Sequence, residues 1–350
     1  MKQRVNSTSA AHWLVLACAV VAISGTAHAA TEHADAFWLV PVSAREMSLG
    51  QATLAETDDA TAFHWNPAGI GHVRSFDATA SYTSMMGGLA SHQLLAAAMP
   101  VGDKLALGAA WVRVGVDDIP VLPSLEDYLS ADERNRYAVQ YGNDPMGYFT
   151  YSQNAFVISL ARSAKVDFDM GWEYLTLPLE VPVGISAKYL TVSAGDSASA
   201  SGIGFDIGAQ LAFDANRALD TRTLGRVSLG LALANVGGMK MTWDTPRDAD
   251  DPKYSDEMKM MVAWGAAYRQ PIPSLNSSLT FLTARAVGGT AWGFEYWYRD
   301  MIALRAGRDM LDSTDWSLGT GISWLGFGFD YALQWHPLGV THRVSLQYHL

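Results

Sequence analysis

Apolar and polar residues alternate along much of this chain, most clearly in its second half. In the last seven residues every second position is apolar: Val344, Leu346, Tyr348 and Leu350. A period of two places alternate side chains on opposite faces of a β-strand. The same pattern recurs in the segments 203–213, 226–236, 316–324 and 327–335. These segments therefore predict amphipathic strands.

The face opposite the apolar one consists mostly of glycine, alanine, serine and single charges. In 226–236, for example, Leu229 and Leu231 are flanked by Ser228 and Gly230. The lumen of a membrane barrel accepts small and polar groups, whereas its lipid-facing side is apolar. We therefore predict an all-β fold, a transmembrane antiparallel β-barrel of about 14 strands. A docked strand of a soluble sandwich is the alternative interpretation of any single segment.

Fourteen segments carry this pattern. They are 76–85, 91–99, 104–116, 151–162, 182–192, 203–213, 226–236, 259–270, 277–287, 291–298, 302–308, 315–324, 327–335 and 340–350. If both chain ends are periplasmic, connections after odd-numbered strands lie outside the cell. The long polar connections 117–150 and 237–258 both satisfy this condition, as such barrels require. The connection 163–181 is long and partly strand-like for an inside turn, so a hidden hairpin making sixteen strands is an alternative.

The first 29 residues have the features of a signal peptide. Lys2 and Arg4 precede an apolar core, and a small-x-small pattern ends at Ala29, after which we predict cleavage. The single cysteine, Cys18, lies inside this segment, so the mature chain would have no thiol. Cleavage would take the net charge from −11 to −13. An acidic exported protein is a poor candidate for nucleic-acid binding.

Hydrophobic residues make up 49% of the chain and charged residues only 17%. Six charged residues are nevertheless predicted to face the lumen: Lys188, Asp206, Glu295, Arg305, Asp330 and Arg343. Hairpin register places Glu295 opposite Arg305, Lys188 opposite Asp206, and Asp330 within one diagonal step of Arg343. An interior network of ion pairs is the favoured interpretation, and a charged path for a ligand is the alternative. Double charge reversal of Glu295 and Arg305 should then restore folding that either single reversal loses.

Residues 30–75 precede the strand pattern and are too irregular to be strands. Asn66 is held away from helical geometry by Pro67, which can itself open a helical turn. Ala68 and Gly69 continue this turn, and the acidic residues Asp58 and Asp59 precede it. A surface loop leading into the sheet is one interpretation, and a compact hatch inside the lumen is the other. We predict a hatch over 30–75 and the barrel over 76–350.

Here the sequence resembles a known family. Arg45, Met47, Gly50, Asp58 and Asp59, followed by Asn-Pro-Ala-Gly at 66–69, are similar to the N-terminal pattern of PorV/PorQ outer-membrane proteins, relatives of FadL-type channels for hydrophobic compounds. Further stretches resemble the family in order, including VGISAKYL, GFDIGAQL, LGLALANVGG and FEYWYRDMIALRAGRD. Ser48, Leu49 and Gln51 depart from the pattern.

The resemblance implies a fourteen-stranded barrel in the cell outer membrane, surrounded by its lipid, with a hatch near the Asn-Pro-Ala turn. It also implies insertion by the barrel assembly machinery, which reads a C-terminal aromatic or apolar strand. The residues at that position are Tyr348 and Leu350.

No sequence motif indicates catalysis. HExxH, GxSxG and P-loop patterns are absent from the sequence, and we expect no enzyme activity, metal or cofactor. The methionines around 239–261 could form an adaptable apolar mouth or could simply meet lipid. Two functions compete: a passive channel for a hydrophobic small-molecule ligand, and a scaffold or shuttle that binds secretion-system proteins, as in type IX export.

Overall fold

The computed structural model describes residues 38–121, 130–141, 145–169, 176–195, 198–218, 224–244, 255–286, 289–309 and 316–350. The predicted signal peptide, Cys18 and the start of the hatch segment lie outside these ranges, so the predicted cleavage remains a prediction.

The described residues form sixteen strands and three α-helices. The strands are β1 Asp77–Met85, β2 Ala90–Val101, β3 Leu105–Val121, β4 Gly147–Asp169, β5 Thr176–Ala194, β6 Ala198–Asp214, β7 Arg226–Ala234, β8 Met239–Asp244, β9 Ser255–Met258, β10 Met261–Ile272, β11 Ser277–Ala286, β12 Gly289–Tyr298, β13 Ile302–Arg308, β14 Trp316–Trp324, β15 Phe327–His336 and β16 Gly339–His349. The helices are α1 Ala44–Ser48, α2 Ala131–Tyr141 and α3 Ala215–Ala218. The 3-10 helices are Ala60–Phe63, Pro67–His72, Met86–Gly88 and Pro273–Leu275. None of the helices in the described ranges is long and apolar enough to cross a membrane.

Fourteen of these strands close into an antiparallel barrel, which confirms the predicted fold. β1 pairs with β16, with Tyr82 opposite Val344. β7 pairs directly with β10, with Leu231 opposite Trp264. The ring therefore runs from β1 to β7 and from β10 to β16, and each of the fourteen predicted segments overlaps one of its strands.

Two elements differ from the prediction. β8 and β9 form a hairpin outside the ring, within the connection predicted as a polar loop. The connection 163–181 contains no additional hairpin in its described part. Instead β4 and β5 are longer than predicted and stay paired as far as Asp169 and Thr176. The alternative with sixteen strands in the barrel is therefore wrong.

The two faces of the barrel have the predicted character. Outward side chains such as Ile158, Phe205 and Leu346 are more than half exposed, and together they form an apolar band of the kind that faces lipid. The alternating inward side chains, such as Ser159 and Ser186, are buried. These two serines bond to each other at 2.7 Å.

The barrel has two different ends. We call the end with the turns after β2, β12 and β14, where β16 also finishes, the turn end. The opposite end, which carries α2 and the β8–β9 hairpin, is the loop end. The residues before β1, from Trp38 to Phe76, lie inside the barrel, and we call them the hatch. Its α1 packs against β13 to β16 and its 3-10 helix Pro67–His72 packs against β3 to β6.

Candidate functional site: the hatch inside the barrel

The turn at residues 66–69 is held by the side chain of Asn66. Its Oδ1 accepts the N–H of Ala68 at 3.1 Å and caps the 3-10 helix Pro67–His72. Its Nδ2 donates to the carbonyls of Leu54 and Ala209, both at 3.1 Å. Proline suits the first helical position because its missing N–H is not needed there. One side chain therefore ties this turn both to an earlier part of the hatch and to the wall at β6.

The wall around this turn is built from inward-facing glycines. A Cβ on Gly184 would overlap the carbonyl of Pro67, and a Cβ on Gly208 would overlap Oδ1 of Asn66. Gly69 packs equally closely on the carbonyl of Thr57. Further wall glycines make similar contacts with hatch residues 48–55: Gly230, Gly293, Gly307 and Gly319. At these positions no methyl group would fit between the hatch and the wall.

A chain of buried ion pairs joins α1 to the wall. Arg45 Nε and Nη2 lie 3.0 and 3.1 Å from the two carboxylate oxygens of Glu295. Glu295 also accepts from Arg305 Nε at 2.7 Å, and Arg305 Nη1 reaches Asp330 at 2.5 Å. Glu295 stands directly opposite Arg305 in the β12–β13 register, as the hairpin arithmetic predicts. The network contains two cations and two anions, and all four residues are buried.

The predicted pairing of Asp330 with Arg343 does not form. Arg343 lies diagonally from Asp330, since it stands opposite Ala332, but Asp330 turns toward Arg305 instead. Gly321 lies between Arg305 and Asp330 and has no side chain, so the guanidinium can cross β14 to reach the carboxylate. No acidic residue in the described part of the chain forms an ion pair with Arg343.

Lys188 and Asp206 are joined at 2.8 Å near the loop end. They are diagonal neighbours, because Lys188 stands opposite Gly204 and Ser186 stands opposite Asp206. The predicted register was therefore wrong by two residues, since the last β5–β6 pair is Ala194 with Ala198. The lysine ammonium also lies 4.5 Å from the ring centre of Trp38, which connects this pair to the first described residue of the hatch.

The interior of the hatch is organised by Glu46. Its carboxylate accepts the N–H of Val42 at 2.9 Å and the indole N–H of Trp65, and it lies 2.7 Å from Nδ1 of His64. The other ring nitrogen of His64 lies 2.7 Å from the carbonyl of Trp38. A carbonyl oxygen can only accept, so this nitrogen carries a proton. All of these bonds lie within the hatch, so they hold its segments together independently of its contacts with the wall.

The two acidic hatch residues have different environments. Asp58 is exposed, whereas Asp59 is buried and caps the 3-10 helix Ala60–Phe63 by accepting from Thr61 at 2.8 Å. Burial, together with the nearby carboxylate of Asp77, raises the pKa of Asp59 to about 6. Both residues line a polar cavity of about 360 Å³ between the hatch and the turn end.

A large apolar cluster packs between the hatch and the loop end, beside the buried Lys188–Asp206 pair. We call this group the lumen cluster; it includes Trp38, Phe63, Ile70, Leu94, Val112, Val157, Leu190, Met239, Met241 and Met258. Its three methionines all belong to the β8–β9 hairpin, Met239 and Met241 on β8 and Met258 at the end of β9, and all are buried. Met239 and Met241 contact Gly204 and Gly202, which lets the hairpin lie against β6. Met260, by contrast, is about half exposed.

The last strand closes the ring next to the hatch exit. The Tyr348 ring lies 4.9 Å from that of Phe327 and 6.5 Å from that of Phe76. The backbone N–H of Leu350 donates to the carbonyl of Phe76 at 3.0 Å. Both residues are therefore part of the turn-end rim, and their role in assembly remains a prediction.

Comparison with known proteins locates the fold. No protein-family model matches the chain, and no curated protein matches it in sequence. Among solved structures it resembles the Ralstonia pickettii toluene transporter TbuX, with a TM-score of 0.51, 13% identity, and 89% of this chain and 99% of that chain covered. It also resembles the monoaromatic hydrocarbon channel CymD, with a TM-score of 0.50, 12% identity, and 90% and 99% covered. For the TodX monoaromatic hydrocarbon channel mutant deltaS2, the TM-score is 0.51 and the identity 11%, with 89% of this chain and 99% of that chain covered. The chain thus shares the barrel fold of these three channels.

Proposed function

We propose that this protein is an integral outer-membrane barrel that passes hydrophobic small molecules, with the hatch as its gate. The observation that carries the proposal is the lumen cluster. A porin-type channel for polar solutes has a water-lined interior. Here many of the side chains packed between the hatch and the loop end are aliphatic, aromatic or methionine.

The lumen cluster suits an apolar ligand for a physical reason. Methionine is unbranched and polarizable, so its side chain repacks around irregular apolar shapes at low cost. Met239, Met241 and Met258 all belong to the β8–β9 hairpin, which is held to the ring by only three residue pairs between β6 and β8. A hairpin attached in this way can move without opening the barrel.

The fold supports the same proposal. The similar solved structures are a toluene transporter and monoaromatic hydrocarbon channels. We also propose that the chain belongs more specifically to the PorV/PorQ family, which its N-terminal segment resembles. The outer-membrane lipid would then contact the outward apolar face.

A single engineered disulfide tests whether the hatch is the gate. A Cβ on Gly265 would lie 3.3 Å from Cβ of Leu54, just below the separation of about 3.5–4.5 Å found in disulfides. It would also lie 2.9 Å from the carbonyl oxygen of Thr283, so folding of the reduced variant and formation of the bond are checked first. The chain has one native cysteine, within the predicted signal peptide, so Leu54→Cys with Gly265→Cys gives one defined bond. In intact bacterial cells, whose lipopolysaccharide leaflet slows apolar solutes, we expect faster uptake of labelled toluene with the wild type than with the oxidised variant, and recovery on reduction. A folded wild-type barrel that gives no uptake above that of cells lacking it refutes the channel.

A second function is favoured by the fit between hatch and wall. Close contact of the hatch with Gly184 and Gly208 leaves no gap at these positions, which suits a closed barrel acting as a scaffold or shuttle for exported proteins. This proposal predicts that the oxidised and reduced disulfide variants support export equally, and that the barrel co-purifies with exported proteins. We further propose that the assembly machinery recognises β16 through Tyr348 and Leu350.

A further inference from the structure

Three buried polar residues stand side by side on the inner wall, on three consecutive strands. Thr83 of β1 lies opposite Arg343 of β16 on one side and opposite His92 of β2 on the other. We call these three residues the polar row. Their exposed fractions are 0% for Thr83, 0% for His92 and 1% for Arg343.

The polar row contains donors that have no acceptor. Arg343 Nε and Nη1, His92 Nε2 and Thr83 Oγ1 have no hydrogen-bond partner among the described residues. The only polar contact within the row joins Arg343 Nη2 to His92 Nδ1 at 3.5 Å. A guanidinium nitrogen can only donate, so Nδ1 is the acceptor and the neutral ring carries its proton on Nε2. The unpartnered atoms are therefore all able to donate.

The adjacent row of the wall is hydrogen-bonded throughout, unlike the polar row. One step toward the turn end, Ser345 accepts the N–H of Ala44 at 2.8 Å and donates to Ser81 at 3.1 Å. Ser81 in turn donates to the carbonyl of Val344. The hydroxyls of that row therefore have hydrogen-bond partners on the hatch and on the wall, whereas several donors of the polar row have none. Buried donors usually have partners because leaving them unpaired is costly.

The positive charge of Arg343 is also unbalanced locally. Glu46 is near enough to attract it but forms no ion pair with it. Glu46 is bound to His64, whose two ring nitrogens face a carboxylate and a carbonyl. Whether the shared proton sits on His64 or on Glu46, the pair as a whole is neutral. The other buried cations of the wall, Lys188 and Arg305, have their own carboxylates.

We propose that Arg343, Thr83 and His92 form a binding site for a small monovalent inorganic anion of the size of chloride. Several neighbouring donors without acceptors and one surplus positive charge match such an ion. The complete burial of the three residues favours a compact ion over the head group of a bulky amphiphile. This inference does not depend on whether the barrel is a channel or a scaffold.

Bromide is the probe, because it replaces chloride and scatters anomalously. Crystals of the full barrel grown in sodium bromide should show an anomalous peak within about 3.5 Å of the donors of Arg343 and Thr83, at the usual reach of such contacts. In solution, the unfolding temperature should rise with bromide or chloride and saturate, while sodium gluconate at the same ionic strength should have no such effect.

Two variants separate binding from folding. Arg343→Met should abolish both the peak and the anion dependence. If that variant does not fold, Thr83→Val removes one donor at nearly constant shape and should raise the half-saturating bromide concentration about tenfold or more. The matched control is Thr280→Val, a fully buried inward threonine whose hydroxyl is also unpartnered but which lies on β11. It should leave the bromide dependence unchanged.

Three outcomes overturn the site. The first is a wild-type crystal in saturating bromide with no anomalous peak at the polar row. The second is elongated density of a carboxylate amphiphile at Arg343 in place of the ion. The third is a bromide dependence that Thr83→Val and Thr280→Val change equally.

Discussion

The ion pair between Arg45 of the hatch and Glu295 of β12 should contribute measurably to docking of the hatch. At 3.0 Å and an effective dielectric constant of about 20, the attraction between two unit charges is about 5 kcal/mol before desolvation. Removing one partner of a buried pair typically costs about 3–5 kcal/mol because it leaves an unpaired charge. We expect Glu295→Gln to be near the upper end, since it leaves both Arg45 and Arg305 without this carboxylate. Arg45→Met should cost less, because Arg305 still neutralises Glu295.

A double-mutant cycle isolates this contribution. The free energy of unfolding of the two single variants and the double variant can be measured by urea titration in lipid or detergent, followed by tryptophan fluorescence. We expect a coupling energy of about 2–3 kcal/mol. The chain offers its own control in Lys165 and Glu180, which lie 3.6 Å apart with side chains 72% and 24% exposed. That pair should give less than about 1 kcal/mol.

The difference between the two coupling energies tests whether the buried network holds the hatch in place. If the Arg45–Glu295 coupling is no larger than that of Lys165 and Glu180, the buried network does not hold the hatch, and the reasoning from burial is wrong. Hydrogen exchange of the α1 amides should report directly whether this helix detaches from the wall. Its amide protection should fall in Arg45→Met while protection of the barrel strands is unchanged.

The remaining predictions concern the hatch turn, its acidic residue and the ion-pair network. Gly208→Ala should displace the hatch turn and make the hatch sensitive to protease, whereas Gly147→Ala, where a Cβ meets nothing within 4 Å, should not. Because burial raises the pKa of Asp59 to about 6, above its unfolded value of about 4, the folded state binds this proton more tightly. The resulting stabilisation, up to about 3 kcal/mol, should be present below about pH 4 and lost as the pH rises through 6; Asp59→Asn should flatten this part of a melting-temperature profile between pH 4 and 8. For the double charge reversal of Glu295 and Arg305, the structure replaces the expectation from the sequence: full stability in a urea titration should not be restored, because Arg45 of the hatch would then face a second arginine. Complete restoration would refute this.

The barrel could be predicted from the sequence because its signal is repeated. Each strand such as β13 or β15 must present one face to an apolar surrounding and the other to the interior, so the period of two is visible in every segment. β8 and β9 were missed for the opposite reason. They are short and lie within a polar connection, and their methionines pack into the lumen cluster, so the alternation is too brief to stand out.

Contacts within a hairpin were easier to predict than contacts of the hatch. The turn between β12 and β13 fixes the register, so the position of Glu295 opposite Arg305 follows from counting. Arg45 approaches the same carboxylate from 250 positions away, and no local pattern encodes that approach. A usable signal does exist in the inward glycines. Gly184 and Gly208 fall where a barrel wall would tolerate side chains, and they mark where the hatch comes close to the wall.

The direct pairing of β7 with β10 makes the β8–β9 hairpin an appendage to a complete ring. Its removal, exchange or lengthening would leave every barrel-closing hydrogen bond in place. Replacement of this one hairpin can therefore change what the loop end recognises without any change in the fourteen-stranded ring.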